Sequence, residues 1–239
     1  MTDLSDFLAP PVIRRIETGI MVTSTYTAAA FSTEMFEQFG IERPDRLCRA
    51  VDKRLAEFLA GRLVAQIAQK ALGREPQEIG IAQSRAPVWP SGLAGSISHA
   101  RSFCACYVVP KSAGHPGIDI EAIASGNALK SIQQMVLGAA DHTQLEKSDL
   151  FPDIAGTLGF SAKETLFKAL FPTVQHHFGF ACAELREPPK NGVIRLYLTQ
   201  DLHRDLPAGA GFDIHYEIGP KAVLTWMLHT SSSTALGAI

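Results

Sequence analysis

The most regular hydrophobic pattern in the chain runs from Asp45 to Leu72. Val51, Leu55, Leu59, Leu63 and Ile67 recur every fourth residue, and Leu47 and Phe58 widen the stripe. That spacing predicts one amphipathic helix, with Gly73 as its stop. A second helical pattern puts Phe160, Leu166, Phe167 and Leu170 on one face and Ser161, Glu164, Thr165 and Lys168 on the other, with Pro172 expected to end it. Lys163 projects among the apolar residues, so its charge has to reach an edge or a wet site. A more polar helical stretch, Ala128 to Asp149, leads up to this segment. Strands are predicted at Gly19–Tyr26, Gly95–His99, Phe103–Val109, Gly117–Glu121, Phe178–Leu185, Val193–Leu198, Phe212–Ile218 and Val223–Leu228, from β-branched or alternating runs set between turn residues. The turn-rich joint Lys111–Pro116 is the expected boundary between two halves, 1–112 and 113–239. The tail from Ser231 onward is expected to fray.

Composition narrows the classes. A chain of 239 residues with 46% hydrophobic and 19% charged residues fits a soluble globular protein of one large or two small domains. A net charge of −2 gives no basic footprint, which argues against a nucleic-acid partner. No run reaches membrane-span length and no basic-then-apolar leader opens the chain, so a cytoplasmic location is expected. The four cysteines are then reduced thiols; Cys104 and Cys106 share one strand face as small buried hydrophobes, with no CxxC partner for a metal. His176-His177 lacks an HExxH context and reads as a loop pair.

Three stretches carry chemistry, each with a plainer alternative. On the strand Gly117–Glu121, Asp119 and Glu121 face the same side ~7 Å apart, a spacing that suits a hard cation such as magnesium; the alternative is the solvent face of a half-buried strand. Ser98 and His99 end a strand after glycines and can donate to a phosphate, although such a pair says little alone. Ser161-x-x-Glu164 fits a capping box and Glu164 with Lys168 an i,i+4 ion pair, roles that need no chemistry at all. Arg54 and Arg62 lie two turns apart off the apolar stripe, where a solvated face with Lys53 and Glu57 is the better account of them taken alone.

Taken together, these stretches resemble the Sfp-type 4′-phosphopantetheinyl transferases, most closely the EntD-like siderophore branch. The matching residues are Trp89-Pro90…Gly92…Gly95-Ser96-Ile97-Ser98-His99, Gly117-Ile118-Asp119-Ile120-Glu121 and Phe160-Ser161-Ala162-Lys163-Glu164…Lys168; Ala50-Val51…Lys53-Arg54…Glu57-Phe58…Arg62 resembles the family's first helix. The resemblance spans about Ala50 to Phe180. It implies an α+β fold of two similar halves related by a pseudo-twofold, with the active site in the cleft between them. It implies transfer of 4′-phosphopantetheine from coenzyme A to a serine hydroxyl of an apo acyl or peptidyl carrier protein, releasing adenosine 3′,5′-bisphosphate, by a monomer that serves siderophore or polyketide synthesis. Asp119, Glu121 and Glu164 correspond to the ligands of magnesium, which manganese can replace, and Glu164 to the general base, with Lys168 beside it in catalysis. Arg54, Arg62, Ser98, His99, Lys163 and Lys168 correspond to contacts with coenzyme A phosphates, His99 with the 3′-phosphate. Where many relatives carry a lysine this chain has Ser84, and the neighbouring Arg85 is the substitute charge; Phe160 stands where many have tryptophan. Two rival readings are a catalytically silent coenzyme A or carrier-protein binding module on the same scaffold, and a magnesium phosphohydrolase that leaves the Trp-Pro and Ser-His block without a purpose.

Overall fold

The computed structural model describes residues 4–230, so the tail from Ser231 lies outside the described residues. Contacts divide the chain into two compact units, Met1–Ala113 and Gly114–Ile239. The first unit runs α1 (Leu4–Phe7), β1 (Val12–Ile16), β2 (Gly19–Thr25), α2 (Met35–Gln38), α3 (Asp52–Ala71), β3 (Gly80–Ile81), β4 (Pro87–Val88), β5 (Leu93–Ala100) and β6 (Phe103–Pro110). Its sheet has the order β1-β2-β6-β5 with every neighbouring pair antiparallel, and β3 and β4 form a separate small hairpin. The helix α3 lies on this sheet, with Leu55, Leu59 and Leu63 buried among Ile20, Val22, Cys104, Cys106 and Val108. Each such leucine contributes about 1.5–3 kcal/mol of burial. Gly61 brings the helix close to β5, since a Cβ there would stand 3.0 Å from Ile97.

The start of this helix corrects the hydrophobic pattern. Asp45–Leu47 forms its own short 3-10 turn, and Val51 is the extended residue before α3, 71% exposed rather than part of the buried stripe. Cys104 and Cys106 are fully buried as expected, and burial pushes the Cys104 thiol up to about 12.

The second unit runs β7 (His115–Ala122), α4 (Gly126–Met135), α5 (Ala139–Glu146), α6 (Pro152–Val174), β8 (Ala183–Leu185), β9 (Val193–Leu198), β10 (Gly211–Ile218) and β11 (Ala222–His229). All five strands are antiparallel in the order β7-β11-β10-β9-β8. The long helix α6 covers one face, burying Leu158, Ala162, Leu166, Ala169 and Leu170 against Leu185, Ile194, Leu196, Ile214 and Val223.

Here α6 is longer at both ends than the pattern suggests. Pro152 occupies its first turn, where a missing N–H costs nothing, and Asp153 complements the dipole. Gly156 and Gly159, inside this extension, serve close packing: a Cβ on Gly156 would meet Leu129 of α4 at 2.7 Å, and one on Gly159 would meet Leu137 at 2.9 Å. Pro172 sits inside the last turn, and the helix ends only at Gln175, in the left-handed region with φ 59°. The polar stretch before it is two helices, broken where the Gly138 N–H is drawn to Asp141 at 2.8 Å. Of the strand expected at Phe178–Leu185 only Ala183–Leu185 forms, because Phe180–Cys182 closes a 3-10 turn through the Cys182 N–H on the Gly179 carbonyl, 3.1 Å.

The contact that sets α6 on the sheet is at Gly117. A Cβ there would lie 2.2 Å from the Thr165 carbonyl oxygen and 3.0 Å from Ala169 Cβ, so only glycine admits the helix this close. Gly117→Ala is expected to lose about 1–3 kcal/mol in urea denaturation, the range for overpacking. Gly179→Ala, where the added carbon meets nothing within 4 Å, is the matched control and should stay within about 0.5 kcal/mol of wild type.

Candidate active site

The close approach at Gly117 brings the polar side of α6 onto β7. Alternation along β7 turns Gly117, Asp119 and Glu121 to the same face. Asp119 is therefore not on a solvent face: it is 2% exposed, under the helix. Lys168 donates to its Oδ1 at 2.6 Å and to the Ile118 carbonyl at 3.1 Å. Ser161 donates to its Oδ2 at 2.8 Å. Ser161 lies well inside α6 and is fully buried, so it caps nothing, and the capping box fails as an account of Ser161 and Glu164.

Glu164, half-buried one turn before Lys168, completes the group. Burial pushes its carboxyl above the ordinary value of 4.5, and the Asp119 charge adds to this; Lys168 and His177 oppose. Glu121 stands two residues along β7 from Asp119 and is partly buried. Among the described residues no three His, Cys, Asp or Glu side chains form a ready-made metal cage. The donors nonetheless fit magnesium: Asp119, Glu121 and Glu164 offer only carboxylate oxygen, hard ligands in a number that leaves room for phosphate and water. Asp119 already neutralises a cation, the Lys168 ammonium.

Lys163, expected at a phosphate, is buried in an ion pair. Its ammonium donates to Asp141 Oδ2 at 2.6 Å, to the Val136 carbonyl at 3.2 Å and to the Phe180 carbonyl at 3.1 Å, and its side chain is 3% exposed. An ammonium has three protons, and all three are used. Asp141 in turn accepts the N–H groups of Gly138 and Leu185, both at 2.8 Å. The pair ties α6 to α5 and β8.

In the first unit, Arg54 and His99 meet directly. Arg54 NH1 is 3.1 Å from His99 Nε2 and 3.2 Å from Glu57 Oε2, and Glu57 Oε2 is 4.0 Å from His99 Nδ1. An arginine N–H on Nε2 assigns the imidazole proton to Nδ1, on the Glu57 side. Ser98 precedes His99 on β5 and is buried. Arg62 is not part of this cluster. It lies over the Phe58 ring at 4.6 Å and lines a pocket of about 290 Å³ with Arg46 and Gln66. Burial pulls its guanidinium down to about 10, and Arg46 adds to the effect. Arg85 is exposed on the β3–β4 hairpin, with φ 70°.

No pattern in the sequence points to Asp141, or to Thr165 and Thr225 as hydrogen-bonding partners around Ser161. A threonine in a β-branched strand is indistinguishable from any other strand residue until the neighbouring element is placed.

The second unit thus sets a carboxylate–lysine group between an antiparallel sheet and one long helix. Comparison with known proteins identifies the kind. Residues 43–109 match the 4′-phosphopantetheinyl transferase N-terminal domain, and residues 115–214 match the 4′-phosphopantetheinyl transferase superfamily. The chain belongs to that superfamily and is an enzyme of the phosphopantetheinyl transferase class. It is 34% identical over 185 residues to enterobactin synthase component D of Escherichia coli (strain K12), covering 77% of this chain and 82% of the relative. It is 39% identical over 125 residues to the protein of that name from Salmonella typhi, 52% of each chain. Against 4′-phosphopantetheinyl transferase Svp of Streptomyces mobaraensis it is 33% identical over 154 residues, 64% of this chain and 62% of the relative. No helix among the described residues is long and apolar enough to cross a membrane.

Two predictions follow from these carboxylates. Lys163→Met leaves the Asp141 charge buried beside an apolar chain, and is expected to cost about 3–5 kcal/mol in urea denaturation, the scale of a broken buried pair. A loss near zero would show that the pair is not buried in solution. For Glu164 the folded pKa lies above the unfolded one, so its contribution to stability is complete below 4.5 and is lost as pH rises through the folded value. In EDTA, Glu164→Gln should therefore be more stable than wild type at about pH 7 and equal to it at about pH 4. Equal stability at both would remove the burial argument.

Proposed function

We propose that this enzyme transfers the 4′-phosphopantetheine group of coenzyme A to a serine hydroxyl of an apo acyl or peptidyl carrier protein, releasing adenosine 3′,5′-bisphosphate. The observation that carries the proposal is the group on β7 and α6: a buried Asp119 bonded to Lys168, with Glu164 made more basic by burial beside them. In this reading Asp119, Glu121 and Glu164 hold magnesium, or manganese in its place. The metal, when bound, neutralises pyrophosphate charge.

The remaining work falls to the side chains. Glu164 accepts the proton of the attacking serine; the serine oxygen bonds to the β-phosphorus as the bond to the bisphosphate breaks. Raised basicity suits that role. Lys168 offers positive charge to the phosphoryl oxygens, where little covalent help is needed and electrostatic positioning dominates. Arg54 and His99 bind phosphates, His99 the 3′-phosphate, with Glu57 holding both in place. Arg62, Ser98 and Arg85 supply further phosphate contacts. For Lys163 the geometry supports a positioning role on the helix that carries Glu164, since its protons are engaged inside the protein.

The proposal also takes both halves, 1–112 and 113–239, to serve one coenzyme A molecule in a cleft between halves related by a pseudo-twofold; each half having an antiparallel sheet under one long helix supports this. Likeness to enterobactin synthase component D favours carriers of nonribosomal peptide siderophore synthesis, with polyketide carriers as the other class, acted on by a monomer in the cytoplasm.

Incubation with coenzyme A, magnesium and a panel of apo-carrier proteins, read by intact mass, should add phosphopantetheine to at least one carrier and add none in excess EDTA. Full transfer in EDTA would overturn the metal reading. His99→Ala should weaken coenzyme A about tenfold more than dephospho-coenzyme A, the worth of one charged hydrogen bond. Equal losses would place His99 away from the 3′-phosphate.

A further inference from the structure

Beside Lys168, Asp119 meets a set of hydroxyls. Thr225 stands directly opposite it on β11, in register, so both side chains point to α6. Thr225 Oγ1 is 2.9 Å from Ser161 Oγ and 2.6 Å from Thr165 Oγ1, and Ser161, Thr165 and Thr225 are all 0% exposed.

Counting protons gives the chain a direction. Ser161 donates to Asp119 Oδ2 at 2.8 Å, so its one hydroxyl proton is committed there. Ser161 Oγ then has lone pairs to offer, and Thr225 donates to it, sharing its proton with the Ser161 carbonyl at 3.0 Å. Thr165 donates to Thr225 Oγ1 in turn. Ser161 and Thr225 each give one proton and receive one, Thr165 starts the series, and every step points toward the carboxylate. A serine within a helix ordinarily returns its hydroxyl to the carbonyl one turn back. Ser161 turns away to Asp119 instead.

We propose that Thr225 is a positioning residue for Asp119: through Ser161, and supported by Thr165, it fixes the rotation of that carboxylate so that Oδ1, the oxygen on Lys168, is the one presented to a divalent cation. This rests on the reading of Asp119 as a metal ligand. A carboxylate free to rotate loses the defined direction that a rigid octahedral ion demands. Groups that orient a ligand in this way are worth 10- to 100-fold in metal affinity.

The test uses the full chain with coenzyme A present and manganese as the probe, its binding followed by electron paramagnetic resonance. Thr225→Val keeps the shape and deletes the hydroxyl; it is expected to weaken manganese binding about tenfold or more, with coenzyme A affinity measured in EDTA unchanged. Thr225→Ser restores the hydroxyl and should return manganese affinity to within about twofold of wild type. A merely structural threonine would lower the melting temperature without this split. Should Thr225→Val not fold, Thr165→Val and Thr165→Ser make the same comparison one link further along. Manganese affinity unchanged in the valine variants, or as weak in the serine variants, would overturn the proposal. A wild-type protein that transfers phosphopantetheine with no manganese signal would overturn the metal reading beneath it.

Discussion

The second unit depends on how closely one helix lies on one strand. Gly117 has no side chain to hold α6 off β7, and the Thr165 carbonyl occupies the space a Cβ would take. Everything polar in the site follows from that distance. With the helix so near, Asp119 is covered and cannot hydrate, so it must find its partners in protein: Lys168 on one oxygen and Ser161 on the other. The same closeness puts Glu164 beside a second carboxylate in a half-buried place, which is what makes its charge unfavourable and its oxygen basic.

The helix α6 carries two lysines that resolve two different electrostatic problems. Lys163 is sealed in, its three protons taken by Asp141 and two carbonyls, and it fixes the helix against α5 and β8. Lys168 is 23% exposed at its side chain and sits where the chemistry is proposed. Glu164 lies between them in sequence. Spacing separates the two, Lys163 on the apolar side of the helix and Lys168 on the polar side, but not the buried partner that Lys163 finds in Asp141.

The strong periodicities were legible: Leu55, Leu59 and Leu63 of the α3 stripe are buried, and the strands β9, β10 and β11 lie within a residue of the expected runs. Helix ends were not, and the reason is physical. Gly156 and Gly159 lie within α6 because Leu129 of α4, Leu137 between α4 and α5 and Leu145 of α5 pack against them, and no local pattern contains those partners. With the true start at Pro152 hidden, Ser161 and Glu164 took on the appearance of a cap. Of the site, Asp119, Glu164 and Lys168 stood out as charges and are brought together. Thr225 and Asp141 did not, because their significance lies in cross-strand register and in a partner on another helix.

The claim on which the account stands is that Asp119, buried under α6, serves the reaction and is not only a fold-stabilising carboxylate. Asp119→Asn keeps the size of the side chain and its ability to accept from Lys168 while removing the charge. Its rate of phosphopantetheine transfer to an apo-carrier protein, followed by intact mass on protein verified as folded by circular dichroism, is the direct measurement. The expected result is a loss of at least about 10²-fold, the scale of removing a charge that organises a phosphoryl-transfer site. A folded Asp119→Asn enzyme working at close to the wild-type rate would contradict it.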